Sequence, residues 1–284
     1  MQTRIQNRSS RFGRLRGVVP AALFLLGVQA WGEAPATAVN AFEQYAAKVE
    51  TTLAHRHWAL SDFNAKAGTR QETDAHLRHA ELIIEHLTPA DAGNPPGALL
   101  HHWRGTAFVA GATAADFERL KDFSAYPQLF SPQVVRARIL TPYSGAVPDH
   151  FTAMMRVRQK HLITVVMDTT YDVRFGRLDS RQGYSISRST KITEIDSPGA
   201  PKERALSDAE EHGFLWRLNT YWRYEERDGG LYLQIESISL TRAIPAGLGW
   251  ALRPYVESVP RESLEFTLRS TCNALKGNQL ENGR

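Results

Sequence analysis

A chain of 284 residues, 42% of them hydrophobic, has room for one large domain with an appendage. Its only cysteine, Cys272, excludes an intrachain disulfide. The formal charge of +4 is carried by the first residues, so it does not point to nucleic acid.

Arg4, Arg8, Arg11, Arg14 and Arg16 form a basic start, Val18 to Val28 an apolar core, and Val28-Gln29-Ala30 a small-x-small cleavage site. Residues 1–30 read as a cleaved secretory signal peptide, which places the mature protein in the periplasm or outside the cell. The apolar run is short and holds Pro20, which disfavours a membrane anchor. No Arg-Arg pair supports the twin-arginine route, and no cysteine follows for lipid attachment. The leader carries five arginines and no acid, so the mature chain has a net charge of about −1. An exported chain without disulfides must stand on its core.

Residues 31–97 are expected to form a helical extension and a first strand. Asn40 can cap a helix carrying Phe42, Tyr45, Ala46 and Val49 on one face. A second helix is expected near Gln71–Leu77 and a strand over Glu81–Leu87. The stretch from Thr88-Pro89 to Asn94-Pro95-Pro96-Gly97 is turn chemistry and marks the internal boundary.

From residue 98 to 277 the pattern is that of a second unit. Leu99–Val109 reads as a strand, Ala112–Phe123 as a helix, and the segment to Phe130 as a short second helix. Strands follow at Val134–Leu140, Phe151–Val157, His161–Phe175 and Tyr184–Ile195, by period-two alternation. A polar loop over Asp196–Glu211 leads to two strands joined at Asp228-Gly229-Gly230. Asp-Gly in a two-residue turn sets the register. Tyr224 then faces Leu233, Trp222 Ile235, Thr220 Ser237 and Leu218 Ser239. The other face pairs Arg223 with Gln234, Tyr221 with Glu236, Asn219 with Ile238 and Arg217 with Leu240. One face is apolar near the turn and the other charged, as in a half-buried sheet. Pro245 to Gly249 breaks the chain and Trp250–Val256 forms a turn or two. A last helix starts near Ser258 with Pro260 in its first turn, burying Leu264, Leu268, Thr271, Cys272 and Leu275. Residues 278–284 are expected to be a disordered tail.

The order is strand, paired helices, antiparallel strands, long amphipathic helix. It resembles the helix-grip α+β fold of the START / Bet v 1-like (SRPBCC, polyketide cyclase/dehydrase and lipid-transport) superfamily over about Leu99 to Leu275. The most specific match is a helix ending in Asp122-Phe123, then Tyr126-Pro127, then the strand with Val134-Val135. The resemblance implies a curved sheet around the last helix, with a cavity between them for a lipid, quinone, isoprenoid-like or other hydrophobic molecule. It also implies a carrier or a cyclase/hydratase-type enzyme. A structural envelope protein with a filled cavity is the third reading.

Candidate cavity residues are Met155, Met167, Tyr171, Arg188, Trp216, Thr220, Trp222, Ile235, Ser237 and Leu268, an apolar lining with few polar groups. Thr220 and Ser237 are either cross-strand partners or the polar floor of a cavity. A buried Arg188 requires a carboxylate or an anionic head as partner. His102 and Arg104 share one strand face, His101 and Trp103 the other, and His102 with Arg104 is placed at the cavity mouth. No catalytic residue, cofactor or metal is assigned: His76-x-x-His79 has no third ligand by spacing, and no HExxH or G-x-S-x-G occurs. Gly247-Leu248-Gly249 reads as a turn, and Asp168, Asp172 and Arg174 as a solvated face with local ion pairs rather than a carboxylate dyad. The expected partner is a hydrophobic small molecule or lipid, with membrane-surface contact possible, no nucleic acid, and a monomeric chain.

Overall fold

The computed structural model describes residues 32–58, 70–87, 93–142, 149–160, 163–244 and 249–282. Residues 1–30, expected to be a leader, residues 88–92 of the boundary loop, residues 245–248 of the expected chain break and residues 283–284 of the tail lie outside them.

Two helices precede the sheet, α1 (Ala36–His55) and α2 (Arg70–Arg78). Then come β1 (Ile83–His86), β2 (Ala98–Ala110), α3 (Ala114–Glu118) and α4 (Tyr126–Leu129), the last two separated by two 3-10 turns. Strands β3 (Val134–Pro142), β4 (His150–Lys160), β5 (Thr164–Arg177), β6 (Gln182–Asp196), β7 (Arg204–Ala205), β8 (Arg217–Arg227) and β9 (Gly230–Arg242) follow, and α5 (Gly249–Asn282) closes the chain. The strand order is β1-β2-β9-β8-β6-β5-β4-β3, every pair antiparallel, with the short β7 on β6. The sheet joins its first long strand to its last and hands the chain to α5, which packs on β2, β9 and β1. This is the helix-grip arrangement.

The β8–β9 hairpin forms in the register that Asp-Gly dictates, with all eight expected pairs opposed. Asp228 and Gly229 have φ of 54° and 74°, the two positive angles a type I′ turn needs. On β2, Gly105 lies under α5. A Cβ there would stand 2.8 Å from Leu264 Cδ2 and 3.0 Å from Leu268 Cδ2, so only a hydrogen allows the helix this close.

Three local expectations change. First, α1 begins at Ala36 behind Pro35 with no side-chain cap, and Asn40 lies inside it. Second, the expected Ala112–Phe123 helix is broken. Thr113 caps α3 in a reciprocal box with Asp116, and the chain then turns twice in 3-10 form, with Asp122 accepting from Ser124 N. Third, α5 is one helix of 34 residues with Pro260 inside it rather than a start near Ser258. Pro254 lies inside it too, and the packing of Leu264, Leu268 and Leu275 against the sheet outweighs the hydrogen bonds the two prolines remove.

The sheet is covered on both faces. Gly105 and the residues in step with it face α5, and this is the inner face. The outer face lies under α1, whose Ala38, Phe42, Ala46 and Leu53 pack with Leu100, Ile186, Tyr221, Ile238 and Leu240. Ile238 and Leu240 therefore stand among charged neighbours in sequence without being exposed. The half-buried sheet expected from the hairpin becomes a doubly covered one, because the N-terminal extension pads the outer face.

Candidate functional site

Two apolar clusters stand on the inner face. Around α5, Ala107, Val109, Leu231, Leu233, Ile235, Leu264, Leu268 and Leu275 pack with Phe117 and Leu120 of the α3 region. Further along, Phe123, Phe151, Ala153, Tyr171 and Val173 form a second cluster, with Met155, Phe175 and Leu218 against it. Between them the face is half-open. Leu218, Thr220, Trp222, Ser187 and Ser237 are all partly exposed there.

Strand pairing sets Val173, Ser187, Thr220, Ser237 and Trp103 in one row across β5, β6, β8, β9 and β2. Thr220 and Ser237 oppose each other directly, yet their hydroxyls make no hydrogen bond among the described residues. The neighbouring Ser189 hydroxyl accepts from Leu218 N at 2.9 Å. The indole of Trp103 stacks on His86, with ring centroids 4.5 Å apart. Its Nε1 is buried and has no hydrogen-bond partner among the described residues. Thr271 Oγ1 of α5 is likewise buried and unpaired among the described residues. Buried polar atoms are nearly always paired, so two orphans in one sheet–helix interface call for an account. His101, on the same face, stands 3.2 Å from Thr241 Oγ1 through Nε2. Burial, with the His86 charge, lowers its pKa to about 4.

Of the expected cavity residues, Met155, Met167, Tyr171, Thr220, Trp222, Ile235 and Ser237 lie on the inner face, and Leu268 faces them from α5. Four others do not. Arg188 is on the outer face and gives both Nε and Nη2 to Glu50 of α1 at 2.7 Å. Tyr184 and Ile186 share its face as expected, but that apolar face is the outer one, packed under α1, and a register shift next to Thr190 turns only Ile192 to the other side. Trp216 packs under α1 and donates from Nε1 to Gly32 O at 3.3 Å. His102 and Arg104 also point outward, which leaves His101 and Trp103 on the inner side. Trp103 and Ser187 are the residues sequence reasoning left out. The signal for Trp103 was its alternation with the outward-facing pair.

The outer face holds a buried charge network. Glu236 Oε1 accepts from Arg104 Nε (3.1 Å) and Arg223 Nη2 (2.8 Å). Its Oε2 accepts from His102 Nε2 (3.1 Å), so Nδ1 of the same ring is free to accept from the Tyr45 hydroxyl of α1 (2.8 Å). Burial pushes the Glu236 carboxyl up. The His102 hydrogen bond and the Arg104 and Arg223 charges outweigh this and hold it down at about 2. Asp168 pairs with Arg156 at 2.7 and 2.8 Å, and Asp172 with His150 at 2.5 Å. These carboxylates form the local ion pairs expected of this face.

A third polar site anchors the loop before β8. The Glu194 carboxylate accepts from the amides of His212 (3.1 Å), Gly213 (3.0 Å) and Phe214 (3.1 Å). Beside it Glu211 is buried and accepts from Glu194 N at 3.3 Å. Burial raises the Glu211 pKa to about 7. The amide hydrogen bond and Lys191 work against that, and the Glu194 and Asp208 charges add to it. A carboxyl raised in the folded state is most favourable while protonated. Its contribution is therefore full below the ordinary value of 4.5 and is lost as pH rises to about 7. Glu211→Gln is expected to gain stability over wild type at pH 8 and to lose that advantage by pH 4.5. Urea midpoints of the two proteins at both pH values check this, and a pH-independent difference would refute it.

Among the described residues no group of three or more metal-ligating side chains occurs, and His76 is bonded through Nδ1 to Glu81 at 2.8 Å. Cys272 is buried in α5, and burial pushes its thiol up to about 11. A cavity of about 240 Å³ lies by the β8–β9 turn, between Gly111, Arg181 and Glu226. One of about 500 Å³ lies by the start of α1, between Glu33, Asn40 and Arg217. Neither lies between the inner face and α5.

No family model matches this chain, and no curated protein does. Among solved structures it is similar to a START superfamily protein from Mycobacterium smegmatis, at 15% identity over 62% of this chain and 97% of that one, TM-score 0.40. It is similar to a STAR-related lipid transfer protein from Xanthomonas axonopodis, at 16% identity over 68% and 98%, TM-score 0.40. It is also similar to the Zhui aromatase/cyclase from a Streptomyces species, at 17% identity over 65% and 96%, TM-score 0.41. None of these likenesses carries a ligand or an activity to this chain. Strand order, the paired short helices and the gripped C-terminal helix establish the fold: a START / Bet v 1-like helix grip with an added helical layer on its outer face.

Proposed function

We propose that this chain binds and carries a hydrophobic small molecule, of lipid, quinone or isoprenoid-like kind, against the inner face of its sheet beside α5. The observation that carries this is the half-open row centred on Thr220 and Ser237. Two opposed hydroxyls left unbonded beside an orphaned Trp103 Nε1 are poor core design and good ligand-site design. The filled cluster around Leu268 forms one wall and the Tyr171 cluster the other. A cyclase needs a proton donor or acceptor at Tyr171. No His or Asp hydrogen-bonds its hydroxyl among the described residues, and burial pushes that phenol up to about 12. Binding without catalysis is the simpler reading.

The leader sends the protein across the inner membrane, and the edge strand β3 suits it to meet a bilayer. Val135, Ile139 and Leu140 are exposed there, with Ile163 exposed at the start of β5. Arg138, Arg158 and Lys160 lie close by on β3 and β4, and none forms an ion pair among the described residues. Arginines on an open edge also oppose pairing with a second copy, which keeps the chain monomeric. Co-sedimentation with vesicles containing phosphatidylglycerol is expected to exceed that with pure phosphatidylcholine, and to fall when Arg138 and Arg158 become Glu.

Native mass spectrometry and lipid extraction of the protein recovered from the periplasm test the carrier reading. An apolar adduct is the expected result. Its absence, with no binding of added apolar probes, would leave a structural protein with a filled interior.

A further inference from the structure

Charge in this sheet is segregated by face. On β2, β4, β5, β6, β8 and β9 the outer face carries Arg104, Arg156, Asp172, Arg188, Arg223 and Glu236. Across the three central rows of the inner face, those through Tyr171, Val173 and Phe175 on β5, the strands carry no Asp, Glu, Lys or Arg; Arg177 and Glu226 stand in the rows nearer the β8–β9 turn, where Glu226 accepts from Ala114 N at 2.8 Å. We infer that the molecule held there is uncharged and presents a hydrogen-bond acceptor, a carbonyl oxygen above all, to Trp103 Nε1. This rests on the binding reading above and names its ligand class.

The chemistry runs as follows. Indole N–H is a donor only, so its missing partner must be an acceptor. The hydroxyls of Thr220 and Ser237 are free to donate as well, so an acceptor on the ligand meets up to three donors and no competing carboxylate. A carboxylate or phosphate head would find no cation in these three rows to offset its desolvation. The charges at the α3 end of the face are already engaged: Lys121 with Asp149 at 2.7 Å, and Arg177 with Glu118. At the other end the Glu194 carboxylate is filled by backbone amides. His101 stays neutral at physiological pH, as its lowered pKa requires.

Three probes of one shape test this by calorimetric titration at pH 8: 2-acetylnaphthalene, 2-ethylnaphthalene and 2-naphthoate. The ketone is expected to bind at least about threefold tighter than the hydrocarbon and about tenfold tighter than the carboxylate. Trp103→Phe is expected to remove the ketone's advantage over the hydrocarbon while leaving hydrocarbon binding in place. Should that variant not fold, Ser237→Ala is expected to reduce the same ratio. Equal binding of ketone and hydrocarbon would overturn the acceptor, as would a ratio unchanged in both variants. Naphthoate binding as tightly as the ketone would overturn neutrality and leave the binding site standing. If none of the three binds, it is the carrier reading that fails.

Discussion

Replacing Glu236 with Ala is expected to destabilise the fold by about 3–5 kcal/mol, a large part of the stability of an ordinary domain. The residue touches no ligand site. Its carboxylate is the anion of a network in which Arg104 and Arg223 are also shielded, and removal takes from two largely buried guanidinium groups their nearest carboxylate, leaving Arg104 with Glu85 at 3.7 Å and Arg223 with the neutral Gln234 amide. It also takes the acceptor from His102, through which Tyr45 ties α1 to the sheet. Glu236→Leu together with Arg223→Met should cost less than Glu236→Leu alone, because the penalty comes from unpaired charge and not from lost volume. Urea midpoints decide this, and a double variant no better than the single would refute the charge argument. The sign with pH follows from a carboxyl held at about 2 against an ordinary 4.5. Its stabilisation is present above pH 4.5 and is lost as pH falls toward 2, so Glu236→Ala should show a shallower loss of stability over that acid range than wild type.

That network marks the limit of what the chain's local pattern conveys. The hairpin register was legible because Asp228-Gly229 admits one turn type and alternation then fixes every pair. The fold was legible because the element order admits few topologies. Which face is wet was not legible. Arg223, Gln234 and Glu236 look like a solvated stripe, and nothing within the hairpin reveals that a helix over a hundred residues upstream will lie on it. Arg188 failed for a related reason. Tyr184 and Ile186 do share its face, but that apolar face is the outer one under α1, and its partner Glu50 is 138 residues away. The two residues of the proposed row that were not expected, Trp103 and Ser187, sit in ordinary strand patterns and stand out only once their row is assembled.

Trp222 separates ligand site from core. It faces Ile235 and Ser185, with its ring 5.7 Å from that of Phe117, but it is only half-buried, whereas Leu268 is fully enclosed. Leu268→Ala opens a cavity in a packed region and is expected to cost about 2–5 kcal/mol. Trp222→Ala removes more atoms, yet many of them face the open row and were never fully out of water. Its stability cost is expected to be the smaller, about 1–3 kcal/mol, and its effect on ligand the larger, with 2-acetylnaphthalene affinity falling by about tenfold or more. Chemical denaturation and calorimetric titration of both variants give a crossed pattern if the row is a binding surface. If Trp222→Ala instead costs as much stability as Leu268→Ala and leaves probe affinity unchanged, the row is core. Thr220 and Ser237 would then be two hydroxyls the packing tolerates, and the carrier reading would lose the observation on which it stands.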